Sequence, residues 1–183
     1  MAFRVQDFRS SLANDGARPN LFKVSIPAFP GFALAPGVAD TGGQTAERKL
    51  EFMARATQLP GSTVNQVPVM YFGREVKFSG NRTFADWSIT IINDEDFLIR
   101  NSFEKWLSGL NSHVGNLRTP AAVNNTGYQT DGYVVQYGKD GRTLKQYKFV
   151  GLFPTDVSPI EVDWSANDTM EEFSVTFSYQ YWE

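Results

Sequence analysis

The chain has 183 residues, a formal net charge of −3, 42% hydrophobic and 14% aromatic residues, and no cysteine. That length fits a single domain over 1–183, with enough apolar side chain to build a core, which excludes disorder over most of its length. The mild acidity argues against a dedicated DNA-binding face, and the absence of thiols excludes disulfides, thiolate nucleophiles and cysteine zinc sites while agreeing with assembly in a reducing cytoplasm.

Residues 1–18 read as an N-terminal arm. Charges at Arg4 and Asp7 interrupt the run that a signal peptide would need, and no later stretch approaches the ~18 apolar residues of a membrane span. A soluble protein used without secretion and without a membrane partner is expected. A first strand is predicted at Leu21–Ile26, followed by an irregular stretch, 27–47, rich in Gly, Pro and Ala. Its Gly42-Gly43 pair follows no predicted strand, so it is not read as a phosphate loop.

Alternating side chains mark the next elements, because every second residue of a strand faces the same side. Leu50, Phe52, Ala54 and Ala56 alternate with Lys49, Glu51 and Arg55, and Met70–Phe78 is extended in character. Trp87, Ile89 and Ile91 alternate with Asp86, Ser88 and Thr90. The period then changes: Ile99, Phe103, Trp106, Leu107 and Leu110 form one helical stripe, predicting a helix over 93–109. Asn93 is its expected cap, Asp94, Glu95 and Asp96 fall in the first turn beside the positive end of the dipole, and Gly109 is the expected stop.

A second irregular stretch, 111–132, carries the only histidine, His113. Strands follow at Tyr133–Tyr137 and Leu144–Val150, joined by a turn through Asp140-Gly141. Ile160, Val162 and Trp164 alternate with Glu161 and Asp163, and Phe173, Val175, Phe177, Tyr179 and Tyr181 give the clearest alternation of all. The pattern predicts a mainly β protein, an antiparallel β-sandwich or barrel-like fold with one flanking α-helix.

Catalytic and metal chemistry find little support. His113 has no second imidazole or thiol to work with, so it reads as a solvent-exposed bystander. Asp94, Glu95 and Asp96 are explained by the helix start, and Asp163 with Asp168 lacks the Gly and terminal Glu of a calcium loop. No enzyme activity, cofactor or metal is expected. One electrostatic feature stands out: residues 149–183 hold seven acids and no Lys or Arg, while residues 1–148 hold all seventeen basic residues against thirteen acids. Such lopsidedness is compatible with ordinary surface variation, and equally with one face of a subunit attracting the opposite face of the next, the head-to-tail contact that builds stacks.

Particular strings then carry a resemblance. Arg18-Pro19-Asn20-Leu21-Phe22, Leu59-Pro60-Gly61, Arg82-Thr83-Phe84-Ala85-Asp86-Trp87, Asn93-Asp94-Glu95, Gly151-Leu152-Phe153-Pro154-Thr155, Asp163-Trp164 and Tyr181-Trp182-Glu183 occur in this order. Together they resemble the tail tube proteins of T4-like contractile-tailed phages over about four fifths of the chain. The resemblance implies a tail tube fold whose copies form hexameric rings stacked into a hollow tube inside a tail sheath protein. It further implies tape measure protein in the lumen during assembly, baseplate and tail terminator proteins at the ends, and transient, non-specific passage of DNA. The inner tube of an extracellular contractile injection system or tailocin is the alternative.

A tube subunit has to hide its strand edges, and sharing them between neighbours achieves this. The extended Val64–Gly80 region and the C-terminal strand are therefore expected to supply inter-subunit strand pairing, through Val67, Val69, Tyr71, Phe72, Phe177 and Tyr179. Glu161, Asp163, Glu171 and Glu172 are expected either to give the lumen a negative potential or to pair between stacked rings. A carbohydrate-binding β-sandwich using Trp87, Trp106 and Trp164 is the competing reading from another class, with core placement of those rings as its bland counterpart.

Overall fold

The computed structural model describes residues 4–12, 16–34 and 45–183; about half of the irregular 27–47 stretch, including Gly42-Gly43, lies outside the described residues. Among the described residues nine strands dominate: β1 (Phe22–Ser25), β2 (Ala54–Thr57), β3 (Ser62–Tyr71), β4 (Arg74–Phe84), β5 (Trp87–Ile92), β6 (Thr130–Tyr137), β7 (Thr143–Val157), β8 (Glu172–Ser178) and β9 (Tyr181–Trp182). Seven of them form one sheet in the order β1-β6-β7-β8-β5-β2, with β9 added to β7, and every pairing is antiparallel.

The 15-residue β7 lets one sheet make two layers. Its first half pairs with β6 and β9 and its last residues pair with β8. The bend between them falls where Gly151 takes a left-handed φ of 68°, a conformation a side chain at this site would oppose. The layers close on an apolar core in which the Trp87 ring stacks on Phe149 at 4.2 Å and also meets Phe177. The buried indole N–H of Trp87 donates to the Gln58 carbonyl and that of Trp106 to the Tyr128 carbonyl, so neither costs an unsatisfied donor. The main sheet thus bears out the β-sandwich expectation.

Among the described residues four α-helices accompany it: α1 (Val5–Ser11), α2 (Ala46–Met53), α3 (Leu98–Leu110) and α4 (Asn125–Tyr128). The expected single flanking helix is α3, which buries Ile99, Phe103 and Trp106. Helix α2 corrects the strand expected from Leu50. Residues 46–53 are nearly all strong helix formers, and the buried positions Ala46, Lys49 and Leu50 have helical spacing; strand geometry begins only at Ala54. The alternation Leu50, Phe52, Ala54 straddled that boundary, and Phe52 is exposed.

The start of α3 also differs. Asn93 binds Glu171 through backbone and side chain instead of capping, and the helix begins five residues later, after Phe97 in a left-handed conformation. The Leu98 amide donates to the Asp96 carboxylate, which does the capping from two residues upstream. Asp94 and Asp96 both engage the Lys49 ammonium from α2. Gly109 stays inside the helix, buried against the Phe32 ring, and Leu110 ends it.

Two more expected strands are corrected. Met70–Phe78 is not one strand, because Phe72 and Gly73, with φ of 45° and 75°, turn the chain between β3 and β4. Consecutive left-handed residues are the signature of a two-residue hairpin turn whose twist matches its strands. Ile160–Trp164 is a loop: Asp163 accepts the Ser165 amide and hydroxyl, folding the chain back, and Val162 and Trp164 face outward. The C-terminal strand is interrupted at Tyr179-Gln180, splitting β8 from β9.

Candidate assembly surface

The β3–β4 hairpin stands apart from the body. Its strands pair with each other and with no strand of the main sheet, and nearly every residue from Ser62 to Phe84 is exposed. Register puts Val67 opposite Phe78, Val69 opposite Val76 and Tyr71 opposite Arg74. Directly opposed residues point to the same side, so Val67, Val69, Tyr71, Val76 and Phe78 form one apolar face. Gln66, Pro68, Met70, Glu75, Lys77 and Ser79 form the other, which is largely polar. An amphipathic ribbon normally lays its apolar face on a core; here, among the described residues, that face has nothing under it.

The tip makes the same point more sharply. Phe72 is 91% exposed and holds a left-handed φ, although an aromatic side chain disfavours that conformation by ~1–2 kcal/mol. Its ring meets the Tyr71 ring edge-on at 4.6 Å. Among the described residues, Tyr71 gives this solvent-facing ring its only ring contact.

The base of the hairpin is fixed. Phe84 packs against Tyr179 and Trp182, and the Trp182 indole donates to the Gly61 carbonyl. Tyr179 is therefore partly buried within the subunit, and its phenol is pushed up by burial and by the nearby Asp86 charge. Phe177 has no exposed surface at all, lying between the Trp87 and Phe103 rings. Strand β8 is hydrogen-bonded on both sides, by β5 and β7, so it has no open edge for a neighbour. The C-terminal strand is thus core. Its alternation reported an interior layer, which sequence periodicity alone does not separate from an interface.

The four acids singled out from sequence meet at one place. Glu161, Asp163, Glu171 and Glu172 all line a cleft formed by the loop between β7 and β8, together with Val162 and Met170. Glu172 is engaged by Arg55, and Glu171 accepts from the Asn93 amide group. Asp163 is held below its ordinary value by the Ser165 amide and hydroxyl. Glu161 has no ion pair among the described residues. At the loop surface Val162 is 82%, Met170 76% and Trp164 fully exposed, so Trp164 is not the core ring its alternation predicted, whereas Trp87 and Trp106 are.

His113 is exposed beside the end of α3, and among the described residues no group of His, Cys, Asp and Glu has the arrangement of a metal site. The 111–132 stretch is ordered by α4, by buried Ala122 and Tyr128, and by Arg118 lying over the Tyr128 ring. In the N-terminal arm, α1 buries none of its residues. No described helix is long and apolar enough to cross a membrane.

Comparison with known proteins converges on one family. The chain is 34% identical over 176 residues to "Tail tube protein gp19" of Enterobacteria phage T4, covering 96% of each, and 29% identical to the "Tail tube protein" of Serratia phage KSP90, covering 96% of this chain and 93% of that one. The tube-terminating cap of the anti-feeding prophage has the same fold, with a TM-score of 0.62 at 11% identity over 94% of this chain and 92% of its own. The sequence pattern of the family described as "Phage tail tube protein" matches residues 17–183, and the chain belongs to that family.

Proposed function

We propose that this chain is the structural subunit of the hollow inner tube of a contractile phage tail, built from hexameric rings stacked head-to-tail. On this reading it catalyses no reaction. It assembles in the bacterial cytoplasm into the virion tail, enclosed by sheath protein and bounded by baseplate and terminator proteins. Tape measure protein fills its lumen first, and DNA passes through later without specific contacts. Identity to phage tail tube proteins over nearly the whole chain supports the phage setting, whereas the likeness to the anti-feeding prophage is one of fold.

The observation that carries the assembly reading is the hairpin. Val67, Val69, Tyr71, Val76 and Phe78 are each about half exposed or more, so covering them adds about 1 kcal/mol per side chain, on the order of 5 kcal/mol per hairpin. That contact, repeated in every subunit, contributes to the driving force for a polymer, and further contacts around each ring have to supply the rest of the association cost. The acids at the β7–β8 loop serve either the lumen or the ring-to-ring contact. A basic lumen would hold the phosphate backbone through counterion release, and a neutral or negative one lets it move.

Electron microscopy and sedimentation of the purified chain test this reading. Rings and tubes are expected. Replacing Thr63–Thr83 by a short Gly-containing turn is expected to leave the circular dichroism of the sandwich intact and to abolish tubes. A full-length protein that stays monomeric at high concentration would refute the proposal.

A further inference from the structure

The hairpin and the β7–β8 loop sit at opposite ends of the same strands. The hairpin enters β5 at Trp87, which pairs with Phe177 at the end of β8; the loop leaves β7 at Val157 and enters β8 at Glu172, which pairs with Ile92 at the far end of β5. Six residues of strand, ~20 Å, separate the two ends. A surface at one end that fits a different surface at the other makes a heterologous contact, which extends from copy to copy and does not close as a dimer.

Their charges are complementary. The hairpin carries Arg74, Lys77 and Arg82 against one acid, Glu75. None of those three cations forms an ion pair among the described residues. The stretch 158–172 carries Glu161, Asp163, Asp168, Glu171 and Glu172 and no base. Both surfaces also expose apolar side chains: Phe72, Tyr71 and the ribbon face on one, Val162, Trp164 and Met170 on the other.

From this juxtaposition we propose that the partner of the hairpin is the β7–β8 loop of a second copy of this chain, with Phe72 seated in the loop's cleft between Val162 and Met170, and Arg74 and Lys77 facing Glu161 and Glu171. The inference rests on the tube reading and assigns its contact. The cleft is open to solvent and spans about 550 Å³, room for one phenyl ring with its neighbours. Another cleft, between Leu110, Tyr128 and Phe153, is lined by Arg118 and repels a hairpin of net positive charge. Association supplies what the subunit lacks: cover for the apolar ribbon and its exposed tip, and counter-charges for its cations. Like-charged loops cannot stack on each other, so the same charges keep copies in one direction.

The chain has no cysteine, so introduced thiols report contacts without background. In Phe72→Cys mixed with Met170→Cys, mild oxidation is expected to give disulfide-linked dimers, and the double variant a ladder of longer species. Sulfurs held together at the contact react on the order of a hundredfold faster than free copies at micromolar concentration. Phe72→Cys mixed with Asn116→Cys, at the other cleft, is the control and is expected to stay unlinked. Electron microscopy of each sample separates the two levels of the argument. Tubes without the Phe72–Met170 cross-link, or with an equal cross-link to Asn116, overturn this contact and leave the tube reading standing; absence of any ring or tube in the parent protein overturns both. A charge exchange gives a second readout. Arg74→Glu and Glu161→Lys are each expected to lower the polymerised fraction at least tenfold, and their combination to restore most of it. No restoration would count against the pairing even if both single variants fold.

Discussion

Lys49→Met tests how the helices are locked to the sheet. Lys49 is buried on α2, and its ammonium binds both Asp94 and Asp96 in the segment leading into α3. Burial by itself disfavours the ammonium, but hydrogen bonds and charge from the two aspartates outweigh it and leave the lysine pKa raised. Asp94 is held below the usual carboxylate range, first by its hydrogen bond to Lys49 and then by the Glu95 amide. Methionine fills the stem volume and removes the charge, so among the described residues the buried Asp96 carboxylate keeps only its bond from the Leu98 amide. Removing one partner of a buried pair costs ~3–5 kcal/mol, and since Asp94 is partly exposed the lower end, about 3 kcal/mol, is expected here. For a chain of this size that is a fall in Tm of roughly 6–12 °C by circular dichroism. Asp94 contributes its stability above the unfolded carboxylate value, and this is lost as pH falls through its depressed folded value. Lys49 contributes below the unfolded amine value, and its share is lost as pH rises through the raised folded value. The gap between parent and variant should therefore be widest across neutral pH and narrow below about pH 4. A variant that melts within about 2 °C of the parent at pH 7 would refute the claim that this cluster couples α2 to α3.

Two further substitutions separate folding from assembly. Gly109→Ala would drive a methyl group into the Phe32 ring on the buried side of α3, and despite the better helix propensity of alanine a net loss of about 1–3 kcal/mol is expected in a denaturant titration. Phe72→Asn should do the opposite: the left-handed tip suits asparagine, so subunit stability, read by the same titration, should hold or rise by up to about 1 kcal/mol. The critical concentration for tube formation, measured by light scattering, should nevertheless increase several-fold. A Phe72→Asn variant that assembles like the parent would remove the tip from the interface.

Sequence alone determined the class of this protein, for a reason visible in particular strands. In β5 and β8, two-residue alternation follows directly from the pleat, and residues such as Ile89, Val175 and Phe177 had to face one interior. The helical stripe of α3 was as legible, and the ordered strings from Arg18 to Glu183 carried the family. Alternation failed where it crossed a boundary, at Leu50–Ala56, and where the chain is a loop, at Ile160–Trp164, because two or three alternating residues arise by chance in any conformation. It also could not tell core from interface. Phe177 and Val67 have the same local pattern, yet one is sealed between Trp87 and Phe103 while the other lies on a ribbon that no described residue covers. What lies beneath a strand depends on which distant segments the chain brings back over it. Only the tertiary structure, by pairing β8 on both sides and leaving β3 and β4 to each other, decided which apolar face was spare.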